Sequence, residues 1–289
     1  MTAWLRLARV ALAPTIVWDV LVGAWLAGIA VDGRLALPGG VLLLVYHAGM
    51  ILNDVADRGI DAEHRPGRPL PSGAVGTRSA ALAAFAMLAA ANALAWLNLP
   101  ENAAYLTLGL TVIVLVYDFG GPSLRTGAGP PLLALARIGS LSLPSLSFAI
   151  EREAWGAGVL HPTFMYGMWI LFTSRVAAYE EDGTPGIRGL QYAIGIAASP
   201  VVLTLGGGIH WAFFPAWIAV GAWVLYPAFR DHKIFWAPER VQEATRLALS
   251  TAPLGLGLAL LSKGLLWQAP FALLVSVAVR FIARRFPPE

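Results

Sequence analysis

Three polar residues, Asn53, Asp57 and Asp61, recur at intervals of four residues near the end of an apolar segment. A fourth, Asp54, lies three residues before Asp57. On a continued helix these spacings project onto one stripe, where like charges repel unless a cation compensates them. Hard oxygen ligands without His or Cys indicate Mg²⁺, which keeps part of its coordination for water and phosphate oxygens. The pattern therefore predicts a Mg²⁺ site at which all four residues are ligands.

The loop after this stripe carries two arginines in a stiff setting. It reads Arg65-Pro66-Gly67-Arg68-Pro69-Leu70-Pro71-Ser72-Gly73. Three prolines and two glycines favour tight turns, which would hold both guanidinium groups near the carboxylates, where they can bind phosphate oxygens in a bidentate manner. The alternative is an ordinary solvated helix end, paired with Arg58, Arg65 and Arg68. The spacing and the loop favour a diphosphate site.

A second acidic cluster comprises Glu180, Glu181 and Asp182. Adjacent residues point about 100° apart on a helix, so all three face one ion only if the helix unwinds there. Gly183 and Pro185 favour such an ending.

The elements that position these clusters are long and apolar. The sequence is 57% hydrophobic and 13% charged, too little charge for a soluble globule of this size. Segments near the length needed to cross a bilayer recur along the chain, and they are too continuously apolar for the strands of a membrane barrel. We expect one all-α, polytopic membrane domain over residues 1–289. The predicted segments are residues 10–31, 38–56, 79–98, 102–118, 130–150, 162–179, 190–208, 210–229, 242–262 and 265–283.

The distribution of Lys and Arg predicts the orientation, because cationic loops stay on the cytoplasmic side. With the N-terminus cytoplasmic, only Arg34, Arg152 and Lys263 lie outside, while Arg137 falls within the fifth segment. An even number of crossings puts the basic residues at 280–285 inside as well. Both acidic clusters would then face the cytoplasm from an inner or plasma membrane.

Composition also excludes several classes of function. The chain has no cysteine, so disulfides and thiolate chemistry are excluded. Its net charge of +3 is small, and no concentrated basic patch with interleaved aromatics indicates nucleic-acid binding.

Residues 53–61, followed by the Arg-Pro-Leu-Pro-Ser-Gly run at residues 68–73, resemble the first signature of the UbiA superfamily of intramembrane prenyltransferases. The stripe and the loop seldom coincide by chance. The resemblance implies nine membrane helices around a central cavity, with the tenth segment as an addition. It also implies Mg²⁺ dependence, a polyprenyl diphosphate donor, and transfer of the prenyl group to an aromatic or other lipophilic acceptor.

That family has a second signature after its sixth helix, with two aspartates one turn apart before Gly-Ile-Lys. Here the run at residues 179–188 ends in Gly-Ile-Arg, but its carboxylates are bunched. The resemblance implies that Glu180, Glu181 and Asp182 hold a second Mg²⁺ and that Arg188 binds substrate. The departures look more like the UbiA-like branch encoded in bacterial Ebo gene clusters, which leaves the acceptor open.

The family also often has a tyrosine followed closely by a lysine after the fourth helix. In this chain Tyr117 matches the tyrosine, and Arg125 is the displaced candidate for the cation on the diphosphate. The alternative for Tyr117 is the aromatic belt at the membrane interface. Arg137 lies inside an apolar segment, where a charge is costly, so we expect it to face a cavity and bind substrate or to pair with Asp19. His47 is interpreted as a hydrogen-bonded structural histidine.

The predicted function is electrophilic prenyl transfer, in which Mg²⁺ and arginines neutralise the departing diphosphate. The predicted catalytic residues are Asp54, Asp57, Asp61 and Tyr117. The predicted substrate-binding residues are Asn53, Arg65, Arg68, Arg125, Arg137 and Arg188. The alternative is a carrier that binds an isoprenoid or pigment precursor without catalysis. A CDP-alcohol phosphatidyltransferase would need a D-G-x-x-A-R run, which the sequence lacks.

Overall fold

The protein is described by a computed structural model that covers residues 2–121, 124, 127–148 and 157–285. Helices dominate this part of the chain, as predicted. They are α1 (Thr2–Leu7), α2 (Ala13–Leu26), α3 (Ala36–Ala56), α4 (Arg58–His64), α5 (Thr77–Asn98), α6 (Glu101–Phe119), α7 (Gly129–Phe148), α8 (Ala157–Ala177), α9 (Gly186–Ala198), α10 (Val201–Thr204), α11 (Phe213–Arg230), α12 (Pro238–Ser262) and α13 (Phe271–Arg285). Two 3₁₀ turns lie at Val10–Leu12 and Gly33–Leu35. Arg125 and Arg152 lie outside the described residues.

Each of the ten predicted apolar segments contains a long helix or most of one, with boundaries that differ by a few residues. The first segment was expected to extend to residue 31, but α2 ends at Leu26 because Gly28 adopts a left-handed conformation, with φ 70°. The seventh segment is divided into α9 and α10 at Pro200, whose ring removes a backbone donor. Segment lengths were therefore predicted better than segment ends.

Six helical stretches in the described chain are long and apolar enough to cross a membrane. They are Gly33–Ala56, Thr77–Asn98, Glu101–Phe119, Gly129–Phe148, Gly186–Thr204 and Pro238–Ser262, with shorter apolar helices at Val10–Leu26 and Phe271–Phe281. Large apolar side chains such as Leu97, Leu205 and Trp267 are exposed on the outside, which suits a lipid solvent. The chain is an integral membrane protein, and the number of crossings and the orientation remain predictions.

The long helices pack mainly against their neighbours in sequence, as short connections between antiparallel helices require. Helix α7 is central and contacts α2, α3, α6 and α8. One buried apolar cluster is built around Trp18, Trp169 and Trp236, and another lies along α3, α5 and α6.

Two short strands form the β-structure of the described residues. Strand β1 (Thr184–Pro185) pairs antiparallel with β2 (Phe235–Trp236), so that Thr184 lies opposite Trp236. This pairing joins the connection between α8 and α9 to the connection between α11 and α12.

Candidate functional site

The first acidic cluster lies where α3 passes into α4. Helix α3 ends at Ala56, but the amide of Asp57 still donates to the carbonyl of Asn53 at 2.9 Å, and the amide of Asp61 donates to the carbonyl of Asp57 at 2.8 Å. The helical spacing therefore continues through the junction. Within it the four residues divide into two pairs, since Asp54 and Asp61 are buried while Asn53 and Asp57 are half-buried.

Arg68 is the residue that brings the two buried carboxylates together. Its Nη1 lies 2.6 Å from Oδ2 of Asp61 and 3.8 Å from Oδ1 of Asp54, and all three residues are at most 7% exposed. The loop turns back tightly enough to place it there, with the amide of Ser72 bonded to the carbonyl of Arg68 and Gly73 at φ 74°. The expected approach of this arginine to the carboxylates is confirmed.

The other pair lies on the neighbouring face of the same turn. The amide nitrogen Nδ2 of Asn53 donates to Oδ2 of Asp57 at 2.6 Å. Arg65 is half-buried and forms no ion pair with the described residues, and Arg58 is exposed. Of the two loop arginines, Arg68 alone therefore has the expected ion pairs in the described part of the chain.

Arg9 is a site residue that sequence reasoning missed. Its Nη2 lies 3.0 Å from Oδ1 of Asp54. The side chain reaches there because Arg9 itself adopts a left-handed backbone conformation, with φ and ψ both 46°, between α1 and the first 3₁₀ turn. Next to it, Nδ1 of His47 lies 2.7 Å from the carbonyl oxygen of Ala8, which confirms the structural interpretation of that histidine. An arginine just before a first membrane segment otherwise signals orientation only.

The second acidic cluster occupies a turn, not a helix. Helix α8 ends at Ala177, and residues 178–182 form turns, so the expected unwinding is confirmed. Gly183 has φ 74°, a conformation that favours glycine. Glu180 is half-buried, whereas Glu181 and Asp182 are exposed. Because these residues are not helical, the 100° rotation between adjacent helical residues does not apply to the three carboxylates.

Beside this turn, Arg188 lies against an aromatic pair. Its Nη1 donates to the hydroxyl of Tyr179 at 3.3 Å, and its guanidinium carbon lies 5.4 Å from the centre of that ring. Tyr179 in turn stacks on Tyr192. Arg188 is exposed, so its guanidinium can turn toward an anion at the second cluster. Tyr117 is half-buried two residues before the end of α6, next to the buried Asp118.

The connection at residues 231–237 packs against the segment that directly follows the second acidic cluster. The amide of Gly186 donates to the carbonyl of Ile234 at 2.9 Å, and the Trp236 ring packs against the backbone of Gly189. Asp231 bonds Arg230 at 2.7 Å and Arg240 at 2.9 Å, and Arg240 lies 4.8 Å over the Trp236 ring. The hydrogen bond from Arg230, with a further one from Arg240, holds the pKa of Asp231 below its ordinary value despite partial burial.

Arg137, the arginine expected inside the fifth segment, forms a buried ion pair. Its Nη1 lies 2.8 Å from Oδ2 of Asp19, and its Nη2 lies 3.2 Å from the hydroxyl of Thr15. Ser140 donates to the same carboxylate oxygen at 2.6 Å. The expected pairing of Arg137 with Asp19 is confirmed.

The first cluster has the donor set that Mg²⁺ requires, although no three acidic or histidine side chains of the described residues meet closely enough to enclose a metal ion. Mg²⁺ is commonly bound through one or two carboxylates, with water and substrate phosphates completing its shell. Asp54 and Asp61 provide two buried carboxylates that already share one cationic group, Arg68. The residues therefore fit an ion brought in with a diphosphate.

Comparison with known proteins finds a family and several relatives. The model of the family described as "UbiA prenyltransferase family" matches residues 16–250. The 4-hydroxybenzoate octaprenyltransferase of Sodalis glossinidius (strain morsitans) is 27% identical over 210 residues, which are 69% of this chain and 67% of that protein. The digeranylgeranylglyceryl phosphate synthase of Methanopyrus kandleri is 38% identical over 89 residues, which are 31% of this chain and 33% of that protein.

A solved structure shares the fold. It is described as "Structural and mechanistic insights into the biosynthesis of Digeranylgeranylglyceryl phosphate synthase in membranes". It superposes with a TM-score of 0.59 and 14% identity over 96% of this chain and 97% of its own. The resemblance in fold therefore covers nearly the whole chain, beyond the residues matched by the family model.

Proposed function

Because this chain belongs to the UbiA prenyltransferase family, we propose that it transfers a prenyl group from a polyprenyl diphosphate to a lipophilic acceptor within the membrane, with Mg²⁺ bound at the two acidic clusters. The observation that carries this proposal is the position of Arg68 between the buried carboxylates of Asp54 and Asp61. Buried carboxylates and a buried guanidinium at the end of a membrane helix are rare, and such charged groups usually mark a functional position.

The proposed roles follow from what each side chain can reach. Asn53, Asp54, Asp57 and Asp61 hold one ion, and Glu180, Glu181 and Asp182 hold the second. When bound, Mg²⁺ supplies positive charge to the phosphate oxygens of the donor. Arg68 and Arg9 lie beside the first cluster and would bind the same oxygens. Arg65, in the loop after the first cluster, and Arg188, which lies against Tyr179 near the second cluster, are proposed to bind further oxygens of the diphosphate.

The reaction breaks the bond between C1 of the prenyl chain and the diphosphate oxygen. A new bond forms between C1 and the acceptor atom, which loses a proton, and the diphosphate leaves with the electron pair of the broken bond. The chain's contribution is electrostatic, since Arg9 and Arg68 are fixed before charge develops on the leaving group. Tyr117, near the end of α6, is proposed to contact the acceptor.

The test is release of pyrophosphate from geranylgeranyl diphosphate by the purified protein in liposomes with Mg²⁺. We expect release by the wild-type protein, and we expect Asp54→Asn and Asp57→Asn to abolish Mg²⁺-dependent binding of inorganic pyrophosphate. Glu63→Gln is the matched control, because Glu63 is an exposed carboxylate of α4. Retained binding in Asp54→Asn would refute the site. Binding of the donor without any release would instead indicate the carrier.

A further inference from the structure

A pocket lies at the end of the bundle that carries the second acidic cluster. Its walls come from α8, α9, α11 and α12, with Trp236 of β2 beside them, and its volume is about 360 Å³, including the part that is open to the surroundings. That volume is near the lower end of the range for ligand pockets, which is about 300–1,000 Å³. Among the described residues, its lining includes no member of the two acidic clusters. The pocket is therefore separate from the proposed reaction centre.

The pocket opens between α11 and α12. Its lining residues on α8 and α9 are buried, whereas the partly exposed ones are Pro227 of α11 and Arg240, Ala244 and Leu247 of α12. The outer face of α11 carries exposed apolar side chains such as Ile218 and Trp223. Because such a face suits a lipid solvent, the opening faces the membrane.

The lining of the pocket is charged at one end and apolar along its length. Among the described lining residues, the charged one is Arg240, in the first turn of α12. Further into the bundle the walls are formed by Ile196, Val224 and Ala248. Arg240 and Ala248 are eight residues apart on α12, which is about 12 Å along the helix axis. This arrangement suits an amphiphile with an anionic group at Arg240 and a hydrocarbon chain along the helices.

Arg240 is held in a fixed orientation and still has donors available. Its Nε donates to Oδ2 of Asp231 at 2.9 Å, and its guanidinium carbon lies 4.8 Å from the centre of the Trp236 ring. Glu243 lies 3.8 Å from Nη1, which is beyond hydrogen-bond distance. Within the described chain, one of the five guanidinium donors thus has an acceptor at hydrogen-bond distance. The remaining donors can bind the oxygens of a phosphate group.

The neighbouring residues indicate that Arg240 lies at the level of lipid headgroups. Tyr226, Phe229 and Phe235 are exposed at the same end of the bundle, around the connection between α11 and α12. Exposed aromatic residues at helix ends are typical of the membrane interface. Basic pockets between membrane helices at this level bind the headgroups of phospholipids.

We propose that the pocket binds a membrane phospholipid, with its phosphate on Arg240 and one acyl chain between α11 and α12. Both parts of the lipid contribute, because a free phosphate lacks the apolar contacts and a neutral diacylglycerol lacks the contact with Arg240. The lipid would bind whether or not the chain transfers prenyl groups. Phospholipid binding therefore goes beyond the proposed function.

The test titrates delipidated full-length protein in detergent with dioleoylphosphatidylglycerol. Native mass spectrometry counts the bound lipids, and the unfolding temperature reports their effect on stability. We expect one lipid to bind at least tenfold more tightly than dioleoylglycerol, which has the same chains without phosphate, and than glycerol phosphate, which has no chains. Equal binding of dioleoylglycerol would refute the role of Arg240, and equal binding of glycerol phosphate would indicate a phosphate site instead of a lipid site. A complex of two protein chains that retains no lipid would assign the pocket to self-association.

Two pairs of variants test the position of the lipid. Ala244→Leu fills the pocket and should weaken lipid binding by about tenfold, whereas Ala222→Leu, at an exposed alanine of α11 outside the lining, should not. Arg240→Gln removes the cation and should weaken binding by a similar factor. Its control is Arg246→Gln, at an exposed arginine of α12 outside the lining.

The two pairs give separate results, so a variant that does not fold leaves the other pair to decide. The unfolding temperature without lipid identifies such a variant. Unchanged affinity in the folded pocket variants, or losses as large in Ala222→Leu and Arg246→Gln, would overturn the proposal.

Discussion

Nη2 of Arg9 lies 3.0 Å from Oδ1 of Asp54, so a residue from the first turns of the chain neutralises a carboxylate at the far end of α3. Asp54 is shared, since Arg68 approaches the same oxygen at 3.8 Å. Arg9 therefore competes with any cation that binds Asp54, and it becomes available to a phosphate once that cation is bound.

Replacing Arg9 by Gln should separate these two effects. We expect Arg9→Gln to increase the affinity for Mg²⁺ in the absence of diphosphate by several-fold, because a competing cation is removed. Affinity for inorganic pyrophosphate in the presence of Mg²⁺ should fall by a similar factor. Calorimetric titration of each ligand measures both. Arg34→Gln, which breaks the exposed pair between Arg34 and Asp32, is the control. Unchanged Mg²⁺ affinity in Arg9→Gln would show that Arg9 does not compete at Asp54.

Replacing Arg68 by Lys should show whether its planar, two-sided contact is needed. A lysine keeps the charge but cannot serve two carboxylates and a phosphate in fixed directions. We expect Arg68→Lys to weaken Mg²⁺-dependent pyrophosphate binding by about tenfold. Arg58→Lys, at an exposed position on α4, should bind as the wild-type protein does. Equal losses in the two variants would mean that the effect is one of overall charge.

The contact between Gly189 and the Trp236 ring leaves no room for a methyl group. We expect Gly189→Ala to lower the free energy of unfolding by about 1–3 kcal/mol, because the ring or α9 must shift. The shift would move the turn that carries Glu180, so the Mg²⁺ concentration needed for half-maximal pyrophosphate release should rise. Gly109→Ala is the matched control, since that helical glycine has no neighbouring atoms within 4 Å of a methyl group. A Gly189→Ala protein with wild-type stability would refute the close packing.

The ion pairs of Asp231 make stability depend on pH on the acid side. The pKa of Asp231 is depressed in the folded protein. Its ion pairs therefore stabilise the fold at pH values above the unfolded pKa of about 4. This stabilisation is lost as the pH falls below that value through the folded pKa. Asp231→Asn should therefore lower the unfolding temperature at pH 7, and the difference from wild type should shrink below about pH 4. The shift will be modest at high salt, because the pair is partly exposed. A difference that stays constant down to pH 3 would contradict the assignment.

The sequence was sufficient to predict contacts that arise because an unpaired charge in an apolar environment is energetically unfavourable. An arginine and an aspartate inside separate apolar segments had few alternatives to pairing, and Arg137 and Asp19 do pair. Arg68 was expected near the carboxylates because its loop contains three prolines and two glycines. Helical spacing predicted that Asn53 and Asp57, four residues apart, share one stripe, and the two side chains are hydrogen-bonded to each other.

Other features depend on backbone turns that no spacing reveals. The contact of Arg9 with Asp54 requires a left-handed conformation at an arginine, which residue type disfavours. The pairing of β1 with β2 joins two-residue strands about fifty positions apart, too short to have an alternating pattern. Helical periodicity alone predicted one acidic stripe. In the structure Asp54 and Asp61 are buried while Asn53 and Asp57 are half-buried, a difference that depends on the packing around α3 and α4.

The pairing of Thr184 with Trp236 has a consequence for protein engineering. The turn with the second acidic cluster owes its shape to residues 231–237 as much as to its own sequence, through the bond from Gly186 to Ile234 and the packing of Trp236. A chimera that grafts only residues 178–189 from a relative would separate the turn from its support. A chimera therefore has to replace both segments together, although α9, α10 and α11 lie between them in the chain.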